Sequence, residues 1–194
     1  MPVISLTEFI DFVLKVGMAK VTKVSAVKDK APYSVMKDHY LQLRRHFGDF
    51  HEGKVPELSF EGTGANPKKA KLYKLNIKGY IKFLGKQEYE WFKSHKAKWV
   101  HGDLTVNVNP EAGFVLDGKK TLVKLYLKAE SLTKPRISVV LGLMRASYPK
   151  TYDVAVLDVI RGNLYTAGPK EATAVALLEG EAATFSAIWQ SLDN

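Results

Sequence analysis

Residues 107–130 read NVNPEAGFVLDGKKTLVKLYLKAE. Whether they form only a hairpin, or a hairpin that carries chemistry, decides the reading of the chain. Asp117-Gly118 is a two-residue turn of the kind that closes tight hairpins, because both positions tolerate the positive φ such turns need. The strand after it, TLVKLYLKAE, alternates, with Val123, Leu125 and Leu127 on one face and Lys124, Tyr126 and Lys128 on the other. The apolar face needs a helix over it, and the amphipathic segment that follows is the expected cover. The polar face then looks toward a cleft or solvent.

Around this hairpin the second half of the chain keeps a strand-like period. AKWVHGDLTVNVN (97–109) alternates through Leu104, Val106 and Val108 and reads as a strand. SLTKPRISVVLGLMRASY (131–148) reads as a helix opened by a Ser/Thr segment and Pro135. YDVAVLDVIRGNLYTA (152–167) reads as an apolar strand turning at Arg161-Gly162-Asn163 into a short partner, and PKEATAVALLEGEAATFSAIWQSL (169–192) as a closing helix.

The first half reads as helical. In SLTEFIDFVLKV (5–16), Ser5 and Glu8 make a capping box ahead of Phe9, Ile10, Phe12, Val13 and Leu14. YSVMKDHYLQLRRHFGDF (33–50) is a second helix, with Val35, Met36, Tyr40, Leu41, Leu43 and Phe47 as its apolar set. DFHEGKVPELSFEGTGAN (49–66) is a surface connection. A third helix runs from Pro67, with Leu72, Tyr73, Ile77, Tyr80, Phe83 and Leu84 on one side and Lys71, Lys74, Lys78 and Lys82 on the other. The order is three helices, then β-β-β-α-β-β-α, with residues 1–86 as a basic helical segment and 87–194 as an α/β core domain.

Composition narrows the chemistry. At 194 residues and 46 % hydrophobic, the chain is long enough for one sizeable core. It has no cysteine, which removes disulfides, thiolate metal sites and a cysteine nucleophile together. No apolar run reaches the roughly 18 residues of a membrane span. Glu8 and Asp11 interrupt the first apolar stretch and argue against a signal peptide and for a mature helix, and the lack of cysteine fits a reducing, cytoplasmic setting. Residues 1–100 hold 19 Lys+Arg against 10 Asp+Glu, and residues 101–194 hold 10 against 10, so the formal +9 sits in the first half. That asymmetry points to a polyanion, with nucleic acid ahead of an anionic membrane surface and DNA ahead of RNA. Four like charges on one helix face repel by a few tenths of a kcal/mol per pair, and a phosphate backbone would relieve that. A solvated lysine face is the ordinary alternative.

With the strand–helix order and the Pro110-Glu111 and Lys128 positions in view, the sequence resembles the restriction-endonuclease-like, or PD-(D/E)xK, nuclease superfamily. That core runs helix, three strands, helix, strand, the order of residues 70–160. The resemblance implies a mixed sheet flanked by helices and, if active, a metal-dependent phosphodiesterase. It also implies Mg²⁺ held by acids, with a lysine orienting the attacking water; carboxylates suit such a hard cation. Carried over, Glu111 takes the Pro-acid position and Lys128 the motif lysine, with Tyr126 where the family has an acid. Glu111, Asp117 and Glu130 are then the metal-ligand candidates, Glu130 in an inverted Lys-x-Glu order. With the acid replaced, a degenerate, non-cleaving member is the expectation. It would bind phosphates through Lys71, Lys74, Lys78, Lys82, Lys124 and Lys128.

Other constellations are weaker. The five histidines, His39, His46, His51, His95 and His101, include no His-x-x-x-His pair, and neither a G-x-S-x-G elbow nor a Walker lysine pattern occurs. Trp91, Phe92 and Trp99 among Lys93, His95, Lys96 and Lys98 suit either base stacking or core packing. Arg44, Arg45 and Arg136 are candidate phosphate contacts. Asp153 and Asp158 lie in opposite phase on an apolar strand, and periodicity leaves open which is buried. A protein partner, or a second copy of the chain, is the remaining alternative. It would dock on the hairpin's polar face or on Phe185, Ile188 and Trp189 if these are exposed.

Overall fold

The computed structural model describes residues 1–31, 35, 38–85 and 89–192, with the side chains of Pro169, Lys170 and Ala172 outside that description. The order is β1 (Val3–Ser5), α1 (Leu6–Val13), α2 (Met18–Lys28), α3 (Leu41–His51), α4 (Ala70–Leu84), β2 (Glu90–Phe92), β3 (Ala97–His101), β4 (Leu104–Val108), β5 (Ala112–Leu116), β6 (Lys119–Tyr126), α5 (Lys134–Ser147), β7 (Asp153–Asp158), β8 (Asn163–Thr166) and α6 (Pro169–Ser191). The protein is α/β, with mixed sheets flanked by helices.

The hairpin forms as read. Asp117 and Gly118 both adopt positive φ, 48° and 74°, and β5 pairs antiparallel with β6 in the register Ala112↔Val123. β6 then pairs parallel with β7 across the α5 connection, and β7 antiparallel with β8, giving the sheet β2-β5-β6-β7-β8. β2 adds to its edge by setting Phe92 opposite Gly113, where a Cβ would come within 2.4 Å of the Phe92 ring. Glycine there lets an aromatic ring lie flat across the strand.

Three features depart from the sequence reading. Residues 97–108 are two strands, β3 and β4, turning at Gly102 with φ 54°. With β1 they make a separate sheet, β1-β4-β3, in which β1 runs parallel to β4. β1 and α2 were not anticipated. The one buried side chain of α2 is Val24, so its sequence carries no stripe to recognise. The second helix is described from Leu41; of its expected start, Tyr33, Ser34, Met36 and Lys37 lie outside the described residues.

The cover of β6 is also reversed. Val123, Leu125 and Leu127 pack with Leu43 and Phe47 of α3 and Tyr73, Tyr80 and Phe83 of α4. α5 instead packs on the opposite face with Leu122, Val154 and Val156, together with α1 and α6. The physical reason is that both faces of the central strands are apolar, so each needs its own helical layer. Each layer thus joins residues from before and after position 87. The Ser5–Glu8 capping box is present, with the Ser5 hydroxyl accepting from the Glu8 amide at 3.2 Å and the Glu8 carboxylate accepting from the Ser5 amide at 2.8 Å. Among the described residues no helix is long and apolar enough to cross a membrane.

Candidate functional site

Pro110 ends the β4–β5 connection, and Glu111 enters the sheet with its amide on the Val123 carbonyl at 3.1 Å. That register brings Glu111 beside Lys124. Lys124 Nζ donates to Glu111 Oε1 at 2.5 Å and to the Asn109 carbonyl at 3.0 Å, while the Leu125 amide donates to Glu111 Oε2 at 2.8 Å. Both side chains are mostly buried, 17 % and 16 % exposed, so the pair is strong where a surface pair is not.

The pair stands in the wall of a cleft of about 160 Å³, which Tyr126 and Lys128 also line. The three candidate catalytic residues Glu111, Tyr126 and Lys128 therefore meet at one cleft, formed where the end of β6 faces α1 and α3. Tyr40, Arg44 and Arg136 line it as well, over a floor that includes Leu6, Ile10, Leu132 and Val156. Arg44 is held by Asp38 at 2.6 Å and Arg136 by Asp11 at 2.8 Å. Burial pushes the phenols of Tyr126 and Tyr40 up. The neighbouring Glu130 charge pushes both the same way, and Arg136 partly offsets it at Tyr126.

Asp158 is the buried acid of β7, and Asp153 the more exposed one, paired with Arg145 at 3.2 Å. Asp158 lies opposite Tyr126 in the parallel register. Arg161 Nη1 donates to it at 3.1 and 3.2 Å, and Arg161 Nη2 also donates to the Ala129 carbonyl at 3.1 Å. This straps the loop after Lys128 onto the end of β7.

The metal-ligand candidates do not meet. Asp117 sits at the hairpin tip and lines a different, open cavity of about 800 Å³ with Asp153 and Tyr165. Six residues of strand, roughly 20 Å, separate it from Glu111. Glu130 is exposed in the β6–α5 loop and does not line the cleft. Among the described residues no three His, Asp or Glu side chains gather around one point. Glu111 already uses both oxygens, and its neighbours in the cleft are cations, so the residues present do not fit Mg²⁺.

The aromatics among the lysines are packing residues. Trp99 is buried against Phe9 at 5.6 Å, and Trp91 stacks on His51 at 5.6 Å. Phe185 is fully buried, with Ile188 and Trp189 packed against the same core, so this end of α6 covers the sheet and does not present a docking trio. His46 accepts from the Ser59 amide at 3.1 Å.

A second feature is the outer face of α4. Lys71, Lys74, Lys78 and Lys82 are all exposed, while Tyr73, Ile77, Tyr80 and Phe83 are buried. Among the described residues none of the four lysines has a carboxylate in ion-pair range. The sequence explains why: residues 62–87 hold seven lysines and no Asp or Glu.

Tyr40 and the Asp158–Arg161 strap went unrecognised in the sequence, since Tyr40 reads as an apolar helix position and an i, i+3 acid–arginine pair is common in turns. No protein-family model matches the chain, and comparison with curated proteins and with solved structures likewise gave no match.

Proposed function

We propose that the protein binds nucleic acid, DNA ahead of RNA, through the outer face of α4, on a restriction-endonuclease-like core and in a reducing, cytoplasmic setting. The observation that carries the reading is the acid-free row Lys71, Lys74, Lys78 and Lys82, exposed and unneutralised on one helix. Eleven residues of helix span about 16 Å, the rise of roughly five base pairs. A phosphate backbone supplies the counter-charge that the chain itself withholds.

The order α4, β2, β5, β6, α5, β7, with β5 and β6 antiparallel and β6 and β7 parallel, supports the nuclease-like core. The β3–β4 hairpin, which leaves for a second sheet, departs from that core. Cleavage is not part of the proposal, because Tyr126 replaces the required acid and Glu111 is held by Lys124. Lys124, held by Glu111, is left out of the proposed phosphate contacts.

The test is binding of a short duplex at rising salt, for wild type and for the variant with all four lysines changed to Gln, a residue of similar helix propensity. Each contacted phosphate contributes a slope of about −0.9 in log affinity against log salt. Wild type is expected to bind, with the variant's slope shallower by about 3.6 if all four lysines meet a phosphate. Undetectable binding of DNA and RNA at low salt, or an unchanged slope, would remove the reading.

A further inference from the structure

We propose that the cleft between α1, α3 and the end of β6 binds a small organic oxyanion: a carboxylate or phosphate head on a compact apolar body. This is independent of the α4 face.

The cleft has donors without acceptors. Lys128, Tyr126 and Tyr40 are half-buried and line it, and among the described residues neither the Lys128 ammonium nor either phenol has a hydrogen-bond partner. None of the three is a fully buried unpartnered atom, so water reaches these donors in the free chain, and an oxyanion entering the cleft can take that water's place. Arg44 and Arg136 each hold their aspartate through Nη2 alone, and a guanidinium has five N–H donors.

The acid in the wall does not oppose an anion, because Glu111 Oε1 and Oε2 already accept from Lys124 and Leu125. Arg44, Lys124, Lys128, Arg136 and the Lys23 that shares Asp11, set against Glu111, Asp11 and Asp38, leave two positive charges. That suits a carboxylate or a phosphate head.

Size and polarity select the rest of the ligand. A space of about 160 Å³ equals roughly five waters at their liquid volume of about 30 Å³ each. Its floor of Leu6, Ile10, Leu132, Val140 and Val156 favours an apolar body over a sugar. Thr7, Arg44, Glu111 and Lys124 are shared with an adjoining cleft of about 690 Å³, into which a longer ligand extends. The Asp158–Arg161 strap holds the loop that follows Lys128.

The test is a titration of the full chain, followed by backbone amide shifts, with three probes of one body: benzoate, phenyl phosphate and benzyl alcohol. Saturable binding of benzoate, phenyl phosphate or both is expected below about 10 mM, with the largest shifts around residues 124–132, and the head that binds identifies the oxyanion. Lys128→Ala is expected to weaken it about tenfold. Tyr126→Phe, which keeps the ring, is expected to weaken it about fivefold, with the thermal midpoint unchanged. The four-lysine variant of α4 is expected to bind the probes as wild type does, so failure of one reading leaves the other standing. The proposal is overturned if neither anion binds, if binding survives both Lys128→Ala and Tyr126→Phe, or if benzyl alcohol binds as tightly as the anions.

Discussion

Arg161 reaches back one turn to Asp158, with Nη1 3.1 Å from one carboxylate oxygen and 3.2 Å from the other, and only the acid is buried, 1 % against 35 % exposed. The two partners are therefore unequal. Removing the arginine side chain leaves a buried charge held only by the long Leu132 and Arg161 amide contacts, whereas removing the acid leaves a part-exposed arginine that keeps the Ala129 carbonyl and water. Arg161→Met is expected to cost about 3 kcal/mol. Asp158→Asn keeps an acceptor for the Arg161 amide and is expected to cost about 1 kcal/mol. Equilibrium urea unfolding compares them, and the reverse order would contradict this account.

The Glu111–Lys124 pair ties the start of β5 to the cleft. A double-mutant cycle with Glu111→Gln and Lys124→Met is expected to give a coupling of about 1–3 kcal/mol. Coupling near zero would mean that the ammonium is free, and would restore Lys124 as a phosphate contact.

Gly79 and Gly180 both lie in helices but differ in what a methyl group would meet. A Cβ at Gly79 would stand 2.0 Å from the Val159 carbonyl oxygen and 2.6 Å from that of Ile160, where α4 crosses the β7–β8 turn. Backbone cannot yield as a side-chain tip can, so Gly79→Ala is expected to cost about 3 kcal/mol or more. A Cβ at Gly180 meets nothing within 4 Å, and Gly180→Ala is expected to stabilise by about 0.5–1 kcal/mol. Thermal midpoints moving in opposite directions are the check.

Burial pulls the His51 imidazole down to about 4, within reach of the Tyr80 hydroxyl at 2.9 Å. The folded chain keeps it neutral, while the unfolded chain takes up a proton below about 6.5. Its contribution is therefore whole above pH 6.5 and declines as pH falls toward 4, by about 2 kcal/mol with partial exposure allowed for. Burial lowers His46 too, with Asp49 partly opposing, which adds loss in the same direction. Glu8 acts lower still. Burial pushes its carboxyl up, but the Lys30 and Ser5 hydrogen bonds outweigh this and hold it below its usual value, so its contribution fades below about pH 4.5. Urea midpoints at pH 7 and pH 5 are expected to differ in wild type, and the difference to shrink in His51→Gln to the part that His46 contributes. An undiminished difference in that variant would refute the assignment to His51.

Much of the architecture is local and was legible in the residues themselves. Asp117-Gly118 specified its turn because few dipeptides accept two positive φ angles. Ser5 and Glu8 specified the start of α1, and the stripe Tyr73, Ile77, Tyr80, Phe83 specified the buried side of α4 and, by exclusion, its lysine side. The basic first half is likewise a property of composition alone.

What needed the tertiary structure were choices between equivalent local signals. Two-sided apolar strands accept a helix on either face, and only the packed chain assigned α3 and α4 to Val123, Leu125 and Leu127, and α5 to Leu122. Asp153 and Asp158 lie in opposite phase on a strand that is apolar on both faces, and the buried position fell to the one within reach of Arg161. Residues 97–108 read as one strand because a turn at Gly102 hardly disturbs the alternation around it. The cleft draws Tyr40 from just before α3 and Arg44 from within it, Leu6 and Ile10 from α1, and Glu111, Lys124 and Tyr126 from the hairpin. No spacing along the sequence encodes that meeting, because it is set by how three helices close over the end of a sheet.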